Sequence, residues 1–188
     1  YIIEVCKTVK GPRVLVSRTH PGLLKRLFEL EVPEIQEGVV EIKSVAREPG
    51  MRSKIAVYSK DENVDPVGSS VGHKGMRVQA IVDELRNEKI DIVKWNPEPA
   101  KFIANALSPA KVISVAINEE AKESRVVVPG YQLSLAIGKE GQNVRLAAKL
   151  TGWKIDIKNE EQAAAEALDE SMSVIEVTGE EAFTAEGD

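Results

Sequence analysis

The sequence predicts an α+β protein in which one helix-and-strand unit is written twice. Three observations carry this. A Gly-x-x-Gly motif stands at Gly72–Gly75 ("GHKG") and again at Gly138–Gly141 ("GKEG"), 66 residues apart. Each is followed by an amphipathic run and then by Lys-Ile-Asp-Ile, beginning at Lys89 and at Lys154, 65 residues apart. Around both motifs the chain reads as the same succession: helix, strand, strand, helix, helix, strand. That period is too long for a solenoid repeat and fits a small duplicated domain.

The elements follow in order. "YIIEVCKTVKGPRVLVSR" alternates apolar and polar residues around Lys-Gly-Pro and predicts a β-hairpin over 2–9 and 13–18. Two strands alone are marginal in water, so the hairpin is expected to be the end of a larger β-domain. The chain begins mid-pattern at Tyr1, as expected of a piece of a longer protein. A helix is predicted over 21–31, with Leu23, Leu24, Leu27 and Phe28 on one side and Pro21 in its first turn. "GVVEIKSVARE" and "SKIAVYS" read as strands, and "DPVGSSVG" as a short helix ending at Gly72. After Gly75, Val78, Ile81, Val82 and Leu85 give a buried helical face. "KIDIVKW" reads as a strand.

"NPEPA" marks a boundary, and the order then repeats. "AKFIANALS" is a helix, "AKVISVAINEE" and "ESRVVVPG" are strands, and "YQLSLAIG" is a short helix ending at Gly138. "QNVRLAAKLTG" is a helix with Val144, Ala147, Ala148 and Thr151 as its expected inner face, and "WKIDIK" is the last strand. The predicted division is 1–18 for the hairpin, 19–95 and 96–158 for the two units, and 159–188 for an acidic, largely disordered tail. "EEQAAAEALDE" at its start is compatible with a helix.

The composition is that of a globular chain, with 43% hydrophobic and 29% charged residues. No apolar run is long enough for a membrane span. One cysteine, Cys6, excludes an intramolecular disulfide, and two histidines leave no basis for a Cys/His zinc site. A reducing cytoplasmic setting and a monomer are expected. Net charge is −5, but 159–188 holds ten acidic residues and no Lys or Arg, so residues 1–158 carry +5. A mildly basic body permits a polyanionic partner without identifying one.

A glycine turn leading into a helix presents unpaired N–H groups and partial positive charge, which suits an anion. The first motif adds His73 and Lys74, with Arg77 just inside the helix; the second adds Lys139, with Gln142, Asn143 and Arg145 following. One such motif is usually a plain helix–helix turn. Two at equivalent places, each with a lysine, favour phosphate contact, which positions a nucleic acid without reading its sequence. His73 fits a phosphate contact or a solvated loop equally well. Arg145 and Lys149 fit a solvated face better than RNA. Trp95 and Trp153 fit packing better than base stacking, and His20 fits local structure. The eight aromatic residues form no strand pair of the kind on which RRM domains stack bases.

The element order with Gly-x-x-Gly between adjacent helices resembles the type II KH domain. "DPVGSSVGHKGMRVQAIVDELRNEKIDIV", "LAIGKEGQNVRLAAKLTGWKIDI" and "SRTHPGLLKRLFELEVPEI" resemble bacterial transcription factors of the NusA family over roughly residues 1–160. The resemblance implies the end of an OB-fold β-barrel followed by two tandem type II KH domains. It implies single-stranded nascent RNA as partner, with RNA polymerase contacted through the wider protein, and a role in pausing, termination and antitermination. By the same resemblance, RNA contact falls to Gly72, His73, Lys74, Gly75, Arg77, Gly138, Lys139, Glu140, Gly141, Gln142, Asn143 and Arg145. Ile81 with Ile90 or Ile92 would line the first groove or belong to the core. Glu140 departs from the usual neutral or basic loop residue and implies a weaker second grip.

No cofactor or metal is expected. The chain has no phosphate-loop motif and no nucleophile–base pair, so an enzyme is not expected. Two rival readings remain: an RNA-binding appendage of a processing enzyme such as polynucleotide phosphorylase, and a protein–protein scaffold.

Overall fold

Alternating side chains draw the first residues into an antiparallel hairpin of β1 (Ile2–Thr8) and β2 (Gly11–Val16). The computed structural model describes residues 1–167. Thr8 lies opposite Gly11, so Val9 and Lys10 form the turn, and β2 begins two residues earlier than expected. Pro12 is tolerated because this is a sheet edge, where no ladder donor is needed. Ile2, Ile3, Val5, Val14, Leu15 and Val16 are all exposed. The hairpin reaches the first unit through Tyr1, stacked on His20 at 4.6 Å, and through Arg18, which donates to the Glu84 carbonyl at 2.8 Å.

The first unit comprises α1 (Pro21–Glu31), α2 (Pro33–Gln36), β3 (Val40–Glu48), β4 (Arg52–Ser59), α3 (Pro66–Val71), α4 (Met76–Glu84) and β5 (Lys89–Lys94). His20 starts α1 by accepting a hydrogen bond from Gly22 N–H at Nδ1 (2.9 Å), the local role expected for it. The one-turn α2, restarted by Pro33, was not anticipated from the pattern. The sheet runs β3-β4-β5, with β4 antiparallel to β3 and parallel to β5. Leu24, Phe28, Ile55, Val57 and Ile81 fill the space between its inner face and the helices. Each such fully buried side chain contributes roughly 1.5–3 kcal/mol.

The second unit repeats this with α5 (Pro99–Ala106), β6 (Ser114–Asn118), β7 (Glu123–Val128), α6 (Leu133–Ile137), α7 (Gln142–Thr151) and β8 (Lys154–Asn159) in the order β6-β7-β8. Its core is continuous with residues of the first unit. Ala46, Ala56 and Val93, on the outer face of the first sheet, pack with Phe102, Ile103, Leu146, Ala147 and Leu150. The layers are therefore helices, sheet, helices, sheet. Helix α7 lies between the two sheets, and this corrects its expected inner face. The buried positions are Asn143, Leu146, Ala147 and Leu150, while Val144 and Ala148 are half-buried. A helix gripped from two sides buries a broader and rotated stripe than one resting on a single sheet.

Trp95 meets Tyr58 edge-on (5.4 Å) and lies 6.4 Å from Phe102 of α5, so it packs between the units. Trp153 is buried in the second core. Of the tail expected from 159, Asn159 ends β8 and residues 160–167 are helical (α8). The remainder of that expectation lies outside the described residues.

Candidate nucleic-acid interface

The two glycine loops have the same backbone. Gly72 has φ/ψ of 78°/173° and Gly138 of 78°/170°. Lys74 (50°/26°) and Glu140 (54°/27°) are left-handed, as are Gly75 (76°/12°) and Gly141 (71°/16°). Each first glycine caps the preceding helix, with Gly72 N–H donating to Gly68 O and Gly138 N–H to Ser134 O, both at 2.9 Å. The second glycine then donates back to the first, at 3.1 and 3.2 Å. The conformation of Gly72 and Gly138 is essentially reserved for glycine. A non-glycine residue held left-handed costs about 1–2 kcal/mol, and both loops hold one at the third position.

Neither α4 nor α7 has a side-chain cap or an acidic residue in its first turn. Their positive ends are therefore not neutralised by local carboxylates in that turn. His73, Lys74, Lys139 and Glu140 are exposed. Lys74 and Lys139 have no hydrogen bond or ion pair among the described residues.

The residues just inside the helices have other work. Arg77 and Asn143 occupy the same place, two after the second glycine, and each leans over the first. A Cβ on Gly72 would lie 2.6 Å from Arg77 Cγ, and one on Gly138 2.8 Å from the backbone N of Asn143. Arg77 donates to Ser69 O (2.6 Å) and to Glu34 (2.9 Å). Asn143 is buried and donates to Leu107 O (3.0 Å) and Ala136 O (2.9 Å). Both side chains tie the loop to the helix before it. The amide N–H groups of Asn143 both bond inside the protein.

Gln142 and Arg145 are held from across the unit boundary. Gln142 Nε2 donates to Glu48 Oε2 (2.9 Å), Arg145 Nε to Glu48 Oε1 (2.6 Å), and Arg145 also to the carbonyl of Glu140 in the loop (3.2 Å). These bonds, that from Arg145 foremost, hold the Glu48 carboxyl below its ordinary value of 4.5. Glu34 and Glu48 carry no motif, and only their long-range pairing reveals them. Ile81 is core, and Ile90 and Ile92 pack against that core while half-buried. Lys149 is exposed on α7.

Among the described residues no group of three or more His, Cys, Asp or Glu could hold a metal, and no helix is long and apolar enough to cross a membrane.

Models of the NusA-like first KH domain and the NusA-like second KH domain match residues 18–95 and 99–165. The chain is 70% identical over 163 residues to the transcription termination/antitermination protein NusA of Bacillus subtilis, covering 87% of this chain and 44% of that protein. It is 55% identical over 172 residues to the NusA of Thermus thermophilus, covering 92% and 44%. The chain thus spans less than half the length of these curated relatives. A solved structure titled "Crystal structure of APE1850" shares the fold, with a TM-score of 0.54 at 21% identity over 72% of this chain and 96% of that one. With the two glycine loops in equivalent places and each unit matched in turn by its own model, the chain belongs to the NusA-like family, as its tandem first and second KH domains.

Proposed function

We propose that this chain binds single-stranded RNA through both glycine loops, as the RNA-binding part of a transcription termination and antitermination factor acting on nascent transcripts. RNA polymerase is then contacted through the wider protein, and the setting is cytoplasmic, with the chain itself monomeric and not an enzyme. The carrying observation is the pair of loops with matched torsions, each placing at the N-terminus of a helix a lysine that has no partner among the described residues. Backbone N–H groups of the two middle residues of each loop, His73 and Lys74 in the first and Lys139 and Glu140 in the second, would donate to phosphates, because the glycine N–H groups already bond within the protein. The side chains of Lys74, Lys139 and His73 add charge. Each loop would hold about four nucleotides, in the KH manner. Arg77, Gln142 and Arg145 support the loops from behind, and Asn143 closes the second. The shared core fixes the units relative to one another, so one RNA crossing both sites gains from effective concentration.

The test is the salt dependence of affinity for a mixed-sequence single-stranded RNA. Lys74→Ala combined with Lys139→Ala should weaken binding to all sequences and reduce the slope of log K against log salt by about 1–2. An unchanged slope refutes the loops as phosphate grips.

A further inference from the structure

We infer that Glu48, a residue of the first unit, is a positioning residue for the glycine loop of the second. This deepens the RNA-binding reading above and rests on it. Glu48 ends β3, and its carboxylate receives two hydrogen bonds from α7, one from Gln142 and one from Arg145. Arg145 passes the connection on by donating to the carbonyl of Glu140, the left-handed residue of the second loop. One carboxylate thus reaches, through one guanidinium, the backbone that would cradle a phosphate.

The internal repeat marks this clasp as an addition to the common plan. Strand pairing aligns Glu48, opposite Arg52, with Asn118, opposite Glu123. Among the described residues Asn118 serves its own turn, accepting from Ala121 N–H at 3.2 Å. Counting from the second glycine, Gln142 and Arg145 align with Met76 and Gln79. Met76 is exposed, and Gln79 bonds within its own helix to Asp83 (2.8 Å). All three members of the clasp therefore depart from their counterparts, and they depart together at the place where the units meet. The first loop is steadied from within its own unit, by Glu34 through Arg77. The second is steadied by its neighbour. Glu48 consequently links the geometry of the second grip to the seating of one unit on the other.

Simple electrostatics gives the opposite expectation. A carboxylate near bound phosphates repels them, and one that occupies Arg145 withholds a cation from RNA, so on charge alone its removal should tighten binding. The positioning role requires that removal weaken it.

The probe is a mixed-sequence single-stranded RNA of about 12 nucleotides, long enough for two four-nucleotide grips. Glu48→Ala should lower its affinity about tenfold, as expected when two linked sites lose their fixed relation. Glu48→Gln, which keeps an acceptor oxygen but not the charge, should recover most of that loss. In a Lys139→Ala background the effect of Glu48→Ala should disappear, and in a Lys74→Ala background it should persist. Melting of each variant is followed alongside. If Glu48→Ala does not fold, Gln142→Ala removes one arm of the clasp and bears the same test. Tighter or unchanged binding by Glu48→Ala, or an equal loss in both lysine backgrounds, overturns the inference. A parent protein without salt-dependent RNA affinity refutes the RNA-binding reading itself, and the two failures are thereby distinguished.

Discussion

The outer faces of the two sheets occupy the same place in the repeat and have opposite fates. Pairing in register sets Arg52 against Glu123, Lys54 against Arg125, Ala56 against Val127, Asp91 against Asp156 and Val93 against Lys158. In the first unit this face is covered by the second unit's helices. Ala56 and Val93 are buried there. Lys54 is fully buried, and its ammonium donates to Asp91 (3.0 Å) and to the carbonyl of Ser108 beyond α5 (2.7 Å). Arg52 forks onto the same Asp91 at 2.8 and 2.9 Å. In the second unit Glu123, Arg125, Lys154 and Asp156 are exposed, with surface pairs such as Lys154–Glu123 at 2.8 Å. A buried charge needs all its partners, and losing one costs several kcal/mol; a surface pair contributes little. What distinguishes the two copies is thus which face meets protein and which meets water. The fold of each copy is the same.

The strongest way to break this comparison is to exchange the residues at one matched position. Val93→Lys places a charge without a partner in the core under α5, and should cost about 3 kcal/mol or more by urea denaturation. Lys158 is half-buried and pairs with Asp156 and Glu166, so Lys158→Val removes partly exposed ion pairs without stranding a charge in a core, and should cost about 1 kcal/mol or less. Similar losses for the two would show that the faces are not differently covered.

The glycines sharpen it next. Gly72→Ala and Gly138→Ala both force alanine into a region reserved for glycine, at about 1–3 kcal/mol. The second should lose more stability, because its new Cβ meets the backbone N of Asn143, whereas the first meets the movable Arg77 side chain. A reversed order in thermal melting would mean that Arg77 is the more rigid obstacle.

The loop tips give a smaller effect, read in affinity. His73→Asp with Lys74→Asp should weaken RNA binding at least tenfold, about 1.4 kcal/mol. Lys139→Asp with Glu140→Asp should weaken it less, because that loop already carries one carboxylate. Melting should hardly move, since acidic groups suit a helix N-terminus and Asp tolerates the left-handed third position. A well-folded variant that binds as the parent does would reduce that loop to a turn.

Acid gives the smallest expected effect. Burial alone would raise Asp91 and Glu88, but Arg52 and Lys54 around the first, and Arg47, Ser53 and Gly50 N–H around the second, hold both below their ordinary values of 3.8 and 4.5. A carboxyl lowered on folding contributes stability above its ordinary value and loses it as pH falls through the lowered one. Stability measured by urea should therefore fall as pH drops below about 4. Asp91→Asn should start less stable at pH 7 and lose less on acidification. A parent whose stability rises in that range would contradict these networks.

The sequence by itself determined the duplication, the order of the elements apart from the one-turn α2, and the position of the loops. Local signals suffice for these: glycines that must turn, a 3.6-residue apolar period after each, and Lys-Ile-Asp-Ile closing each unit. Lys74 and Lys139 were legible for the same reason, being inside the motif. What lay beyond was decided by partners distant along the chain. Asn143 looks polar and available, yet it is buried against the carbonyls of Leu107, beyond α5, and of Ala136 in α6. Arg145 reads as surface, yet its charge is bound by Glu48, 97 residues away. Lys54 stands between Ser53 and Ile55 with no local signal of burial, and only the second unit's arrival over that face buries it. Period and propensity report which side of an element differs from the other. Whether the polar side finally meets water or a second domain depends on how the units pack, and only the tertiary structure settles that.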